Sequence, residues 1–264
     1  MSATAIATRP GDLLREWRQR RRLSQLDLAL EAEVSARHLS FLETGRSAPS
    51  REMLLRLADQ LDMPLRARNQ LLNAAGFAAV YPERAFDAPD MAVARAAVQR
   101  VLAAHMPFPA LAVDRGWNLV AANEAVAPLM AGAAAHLLAP PLNVLRLSLH
   151  PEGLAPRIDN LGEWRAHLLA RLQQQIHQSG DPDLQVLHRE LAAYPTRASA
   201  APAHDLTGVA VPLRLRAPGM DTPLSFLSTT TVFGTPVDVT LSELALECFF
   251  PADERTRAAL LAAA

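Results

Sequence analysis

At 264 residues the chain is long enough for two ordinary domains, and half of its residues are apolar, which supports a sizeable core and sets disorder aside. No apolar run approaches the roughly 20 residues of a membrane helix, the N-terminal stretch lacks the apolar centre of a secretory signal, and a single cysteine, Cys248, leaves no disulfide framework. Composition therefore argues against membrane-spanning and disulfide-stapled secreted classes and predicts a cytoplasmic protein.

A net charge of −1 decides little, but its distribution is uneven. Up to Val80 there are 12 Arg against 9 acidic residues; from Tyr81 onward there are 14 against 18. The positive excess thus sits at the N-terminal end, where it suits an anionic partner. Every basic residue is Arg, the side chain suited to bidentate contact with phosphate and guanine.

Residues 1–9 read as a flexible tail. Residues 11–23 form a first helix with Leu13, Leu14 and Trp17 on one face, and Arg18, Arg20, Arg21 and Arg22 at its end. That arginine cluster is either a solvated run favoured by the helix dipole or a phosphate-facing patch. Ser24 caps a second helix whose predicted inner face is Leu26, Ala29 and Leu30. Val34 fills a tight turn and Ser35 caps a third helix over residues 36–43, with Leu39 and Leu42 inward and Gly45 as its stop. Ser50 caps a fourth helix, and Pro64 begins a fifth that ends near Gly76. Five short helices in about 70 residues predict a compact all-α domain.

The residues Ser24-Gln25, Ala29, Val34-Ser35, Leu39, Leu42-Glu43-Thr44-Gly45-Arg46 and Pro49 resemble the Xre-type helix-turn-helix of lambda-repressor-like DNA-binding domains. The resemblance implies that Gln25 binds a DNA phosphate and braces the recognition helix, and that Arg18 pairs with Glu43. Such a helix enters the major groove with its first residues at base edges. The candidates are Ala36, Arg37, His38 and Phe41, with Ser35 near the backbone and Arg46 as a phosphate contact from the loop. Arg37 suits a bidentate contact to guanine. Phe41 either touches a thymine methyl or packs against a neighbouring helix.

Residues 77–91 are punctuated by proline and read as a linker with apolar anchors at Phe77, Tyr81 and Phe86. A helix follows, with Val93, Ala97, Val101 and Leu102 predicted on one face. Residues 110–113 and 117–121 then predict a hairpin, and Asn123 the cap of a helix running to Met130. Residues 131–141 read as a loop, 164–178 as an amphipathic helix, 182–191 as another, and 194–205 as an Ala/Pro-rich loop. Strands are predicted over residues 209–216, 224–233 and 244–250, with turns at Pro218-Gly219 and Gly234-Thr235-Pro236.

The stretch Asn143 to Leu154, the long helix after it and the closing residues 231–254 resemble the PAS-like ligand-binding domain of MmyB-like transcription regulators. That resemblance implies an α+β fold, an antiparallel sheet with flanking helices on one side, enclosing an apolar pocket. The expected organisation is a tail (1–9), a helix-turn-helix DNA-binding domain (10–76), a linker (77–91) and a PAS-like ligand-binding and dimerisation domain (92–264). It implies a repressor that binds a double-stranded DNA operator as a homodimer and responds to a small, apolar, fatty-acid-like ligand, with no membrane partner. A PAS sensor carrying flavin or haem and an antitoxin-like protein-interaction module are the alternatives.

The sequence holds no HExxH, G-x-S-x-G, GxGxxG or P-loop motif, so no catalytic residue, metal site or cofactor is expected. One polar group stands out. Asn143, Arg146 and His150 would share a helical face, where Arg146 either receives a ligand carboxylate or is a surface arginine beside a capping Asn143. Trp117, Phe226, Thr230 and Phe233 are either pocket lining or plain core.

Overall fold

The first unit begins where Pro10, with its fixed φ, opens a helix. A computed structural model describes residues 9–195, 210–217 and 222–262. The predicted tail, save Arg9, lies outside them. The chain divides into two compact units: the first takes Met1–Glu83 with Val237–Val239, the second Arg84–Pro236 with Thr240–Ala264.

In the first unit, α1 (Pro10–Arg20), α2 (Gln25–Glu31), α3 (Ala36–Glu43), α4 (Arg51–Gln60) and α5 (Leu65–Ala74) enclose one core. Each start has a local cause. The Ser24 hydroxyl accepts the Asp27 N–H while the Asp27 carboxylate accepts the Ser24 N–H, a capping box. Ser35 and Ser50 accept from the backbone of His38 and Met53. Gly45, at φ +74°, ends α3 with the Arg46 N–H returning to the Phe41 carbonyl at 2.8 Å. The inner face of α2 corrects the expectation. Leu28, Ala29 and Ala32 are buried, whereas Leu26 and Leu30 are 58% and 70% exposed. Leucines lie on both sides of this two-turn helix, so spacing alone does not select its core face. The chain after α5 stays with the unit: Phe77 and Val80 pack on its core, and the Asn69 side chain accepts the Val80 and Tyr81 N–H groups and donates to the Tyr81 carbonyl.

The second unit opens with α6 (Ala92–Ala104), followed by β1 (Ala110–Val113) and β2 (Leu119–Ala122). Short helices α7 (Ala127–Met130), α8 (Ala135–Leu138) and α9 (Val144–Leu149) precede the long α10 (Leu161–Ser179) and α11 (Pro182–Ala193). Then come β3 (Leu213–Leu215), β4 (Leu224–Val232), α12 (Val239–Ser242), β5 (Ala245–Pro251) and α13 (Glu254–Ala262). The five strands form one antiparallel sheet in the order β2-β1-β5-β4-β3. This is the PAS-like α+β fold. Strand alternation splits the sheet's residues between two cores. Leu111, Val113 and Phe226 face α9, α10 and α11, while Ala110, Ala112, Leu246 and Cys248 face Val98 and Leu102 of α6. Helices therefore cover both faces, not one.

Several local expectations shift. Trp117 is not a strand residue; it sits in the β1–β2 turn at φ +65°, where the Asp114 carboxylate accepts the Gly116 and Asn118 N–H groups. Asn123 stands at the start of the 3-10 turn Glu124–Val126 that leads into α7, but its side chain makes no capping bond; it accepts the Ala110 N–H and donates to the Leu102 and Phe108 carbonyls, joining α6 to the sheet. Val93 and Val101 point outward from α6. The 131–141 loop contains the single turn of α8. Most of the 194–205 loop, Val209 and the Pro218-Gly219 turn lie outside the described residues.

One glycine is required by close approach. A Cβ on Gly11 would lie 2.4 Å from the Leu42 carbonyl oxygen and 2.6 Å from that of Glu43, so α1 touches the end of α3 through bare backbone. Gly11→Ala is expected to destabilise the first unit by about 1–3 kcal/mol, the usual cost of overpacking, read as a lowered urea midpoint.

Candidate nucleic-acid interface and ligand cavity

The C-terminal end of α3 is fixed by a buried charge cluster. Arg18 is 8% exposed and Glu43 5%. The Arg18 Nε and Nη2 donate to the two Glu43 carboxylate oxygens at 2.6 and 2.9 Å, and Nη1 donates to the Leu23 carbonyl at 2.8 Å. The hydrogen bond to Glu43 holds the Arg18 guanidinium pKa above its ordinary value despite burial. Gln25, the first residue of α2, gives one amide proton to Glu43 Oε2 at 2.8 Å. Three residues from α1, α2 and α3 thus meet at one carboxylate. The amide's second proton is left for another acceptor.

This arrangement decides the arginine run. Arg18 is committed to Glu43, Arg20 bonds Glu16 at 2.8 Å, and Arg21 donates to the Leu61 and Asp62 carbonyls. Both Arg20 and Arg21 also lie over the Trp17 ring, at 5.3 and 5.4 Å. The run serves mainly to tie α1 down.

On the outer face of α3, Ser35 and Arg37 are exposed, and His38 is half-buried. Ala36 packs against the unit's core, which leaves it little to offer a partner. Phe41 does not join that core among the described residues. Its ring is instead flanked by the guanidinium groups of Arg37 at 5.3 Å and Arg46 at 5.9 Å. Cation–π contact of this kind is worth about 0.5–1 kcal/mol at an exposed site and does not neutralise either cation. The result is a rigid pair of positive heads on one aromatic platform. Sequence reading missed the platform, although the four-residue spacing of Arg37 and Phe41 on a helix was its signal.

In the second unit a cavity of about 110 Å³ lies between the sheet and α9 and α10. Trp117 and Phe226 line it. Asn143, Arg146, His150 and Phe233 do not. The helix spans only Val144–Leu149, so Asn143 and His150 are its two caps and share no face with Arg146. Asn143 accepts the Arg146 N–H and donates to the Gly116 carbonyl. Arg146 forks onto Glu190 of α11, both bonds 2.8 Å, so its charge is already matched by a carboxylate away from the cavity lining. Phe233 packs against the α6-facing core. Thr230 stands beside the cavity, bonded to Glu247 at 3.0 Å.

The cavity's own polar residues are Arg171, Glu247, Ser148 and Ser228, none singled out from sequence. Arg171 gives Nη1 and Nη2 to Glu247 at 3.0 and 2.5 Å and lies 4.7 Å over the Trp117 ring. The signal available was a lone acid in the apolar strand Ala245–Pro251 and a cation one turn from Leu168 on the inner face of α10. Burial, then Arg171, pushes the neighbouring His167 pKa down. Burial, then the Glu247 charge, pushes the Cys248 thiol up, which suits an inert apolar residue better than a nucleophile.

A helix-turn-helix family model matches residues 14–67, and the model of the MmyB-like transcription regulator ligand binding domain matches residues 94–263. The chain belongs to the MmyB-like transcription regulators. No curated protein matches it. Both matched domains are regulatory and non-catalytic, so the regulator is a DNA-binding protein and not an enzyme. No helix among its described residues is long and apolar enough to cross a membrane.

The regulator's fold also gathers His136, His150 and Glu152, whose potential ligand atoms lie within 4.8 Å of one another. The His150 Nδ1 accepts the Glu152 N–H at 3.1 Å, which places the neutral ring's proton on Nε2 and leaves that tautomer no lone pair for a metal.

Two measurements probe the regulator's ion pairs. Glu43→Ala leaves Arg18 buried without its carboxylate and is expected to cost about 3–5 kcal/mol in urea unfolding, with Arg18→Leu/Glu43→Leu recovering part of the loss. Arg146 holds the Glu190 carboxyl below the usual carboxylate range, against burial and with help from the Tyr194 hydroxyl. A depressed folded value stabilises at neutral pH and is lost as pH falls. Glu190→Gln should therefore flatten the acid limb of stability below about pH 4, followed by tryptophan fluorescence.

Proposed function

We propose that this regulator is a repressor that binds an operator as a homodimer in the cytoplasm and is modulated by a small, mainly apolar ligand in its second unit. In this reading residues 10–76 read DNA, 77–91 link, and 92–264 bind ligand and dimerise. The observation that carries the DNA half is the outer face of α3, where Arg37 and Arg46 flank Phe41 above the buried Arg18–Glu43–Gln25 cluster. Arg37 is then the base reader, Ser35 and His38 lie along the strand, and Arg46 and the second Gln25 proton meet phosphates. One such helix reads a half-site, which is why two copies are needed.

The ligand half rests on the apolar cavity between sheet and helices, with Trp117 and Phe226 in its walls. In this reading the ligand is fatty-acid-like. A cavity of about 110 Å³ has no room for a flavin or a haem. Modulation is a population shift: the ligand favours one state of the protein over another by its differential contacts.

Gel shifts on the DNA upstream of the regulator's own gene test the reading; absence of a shift at low salt would favour a protein-interaction module. Arg37→Ala should weaken operator binding by about 1–3 kcal/mol while leaving binding to random DNA nearly unchanged, compared by fluorescence anisotropy. Equal losses on both DNAs would remove Arg37 as a base reader.

A further inference from the structure

Among the described residues, neither the Arg37 nor the Arg46 guanidinium has a hydrogen-bond or ion-pair partner; each lies over the Phe41 ring, at 5.3 and 5.9 Å. Helix α3 carries one carboxylate, Glu43, and it is buried against Arg18. Phe41 is half-buried and outside the core of the first unit. Its carbonyl accepts the Arg46 and Ser47 N–H groups at 2.8 and 3.2 Å, which pins the loop bearing Arg46 to the residue whose ring that side chain covers. The ring is thus an apolar surface held at the outer face of α3 beside two cations without a counter-charge.

An arginine that reads guanine gives two N–H groups to O6 and N7, which puts its guanidinium close to the plane of that base pair. A ring packed on the guanidinium cannot occupy the same level, because base and guanidinium fill it. The ring stands toward the neighbouring pair. Successive base pairs are about 3.4 Å apart. The Phe41 ring centre is 5.3 Å from the Arg37 Cζ, so the ring comes level with the adjacent pair. A phenyl ring has no donor or acceptor. A base edge made only of donors and acceptors loses water against it and gains no bond. Of the four bases only thymine presents an apolar group in the major groove, its 5-methyl.

Resting on the reading that Arg37 meets guanine, we infer that Phe41 is a second base-reading residue, and that each half-site carries a thymine at the base pair next to that guanine. Arg37 supplies the hydrogen bonds, Phe41 reads the 5-methyl group, and the stack between them sets the two at neighbouring positions. What is read is the methyl group, so 5-methylcytosine fits the same place better than cytosine.

Selection from a library of random duplex DNA by the full-length regulator, followed by fluorescence anisotropy on the selected duplex, tests this. The selected half-site is expected to hold thymine beside a guanine whose preference is lost in Arg37→Ala. Replacing that thymine by deoxyuridine removes only the methyl group and should weaken binding about fourfold, the loss of one buried methyl. Replacing it by 5-methylcytosine should leave binding tighter than cytosine does by a similar factor. Phe41→Ala should bind the thymine and deoxyuridine duplexes equally and keep the wild-type melting temperature; the base replacements decide alone should that variant fail to fold. Equal binding of thymine and deoxyuridine by the wild type, or a selected half-site with no thymine beside that guanine, overturns the inference and leaves Arg37 as the guanine reader. If the selection enriches no sequence, or the guanine preference survives Arg37→Ala, both fall.

Discussion

The placement of the recognition helix depends on one carboxylate. Glu43 is the last residue of α3, and Arg18 and Gln25 reach it from α1 and α2. A buried ion pair is a poor source of net stability, because desolvating both charges offsets most of their attraction. Its consequence here is positional. The two-pronged geometry of guanidinium on carboxylate admits one relative setting of α1 and α3. The missing side chain of Gly11 allows the helices to touch at the adjoining backbone of Leu42 and Glu43. Any side chain that α3 presents outward is aimed by this anchor at its far end.

The second unit uses the same chemistry to a different end. Arg171 and Glu247 also form a forked pair on packed elements, but this one faces a cavity. At Glu43 the pair fixes geometry between helices; at Glu247 it joins α10 to the central strand and sets the electrostatics of the space between them. An arginine stacked on an aromatic ring recurs in both units, at Arg37–Phe41 and Arg171–Trp117. Exposed, the stack presents a charge; beside Glu247, it holds one whose counter-charge is already present.

What the sequence made legible was mostly local. The bounds of α3 coincide with the predicted 36–43, because Ser35 and Gly45 set both ends through contacts within a few residues. The Arg18–Glu43 pair, 25 residues apart, was reachable only through the resemblance to a known domain. Arg171–Glu247 is separated by 76 residues and Arg146–Glu190 by 44, and no periodicity links such partners. Arg146 therefore looked available until α11 was folded against it. Leu26 and Leu30 failed for another reason: in a short helix with leucines on both sides, only tertiary packing selects the buried face.

The cavity's two walls are built differently, and that bears on how a ligand acts. The sheet side belongs to five strands whose hydrogen bonds run continuously from β2 to β3. The helical side includes α9, only six residues long, held by buried Leu145, Leu147 and Leu149, by the Val144 N–H to the Trp117 carbonyl, and by side-chain links from Asn143 to the Gly116 carbonyl, Arg146 to Glu190, and Ser148 to the Trp164 indole. A ligand shifts an equilibrium only through contacts that differ between the states. Ser148 lines the cavity, so a molecule that fills it lies against the side chain that receives the Trp164 N–H. Displacing a strand would break a ladder of backbone bonds; moving α9 would break its backbone bond to Trp117 and disturb Leu145, Leu147 and Leu149 in the core. Any response of α9 to a filled cavity works against those core contacts, with the Arg146–Glu190 fork as a further tie.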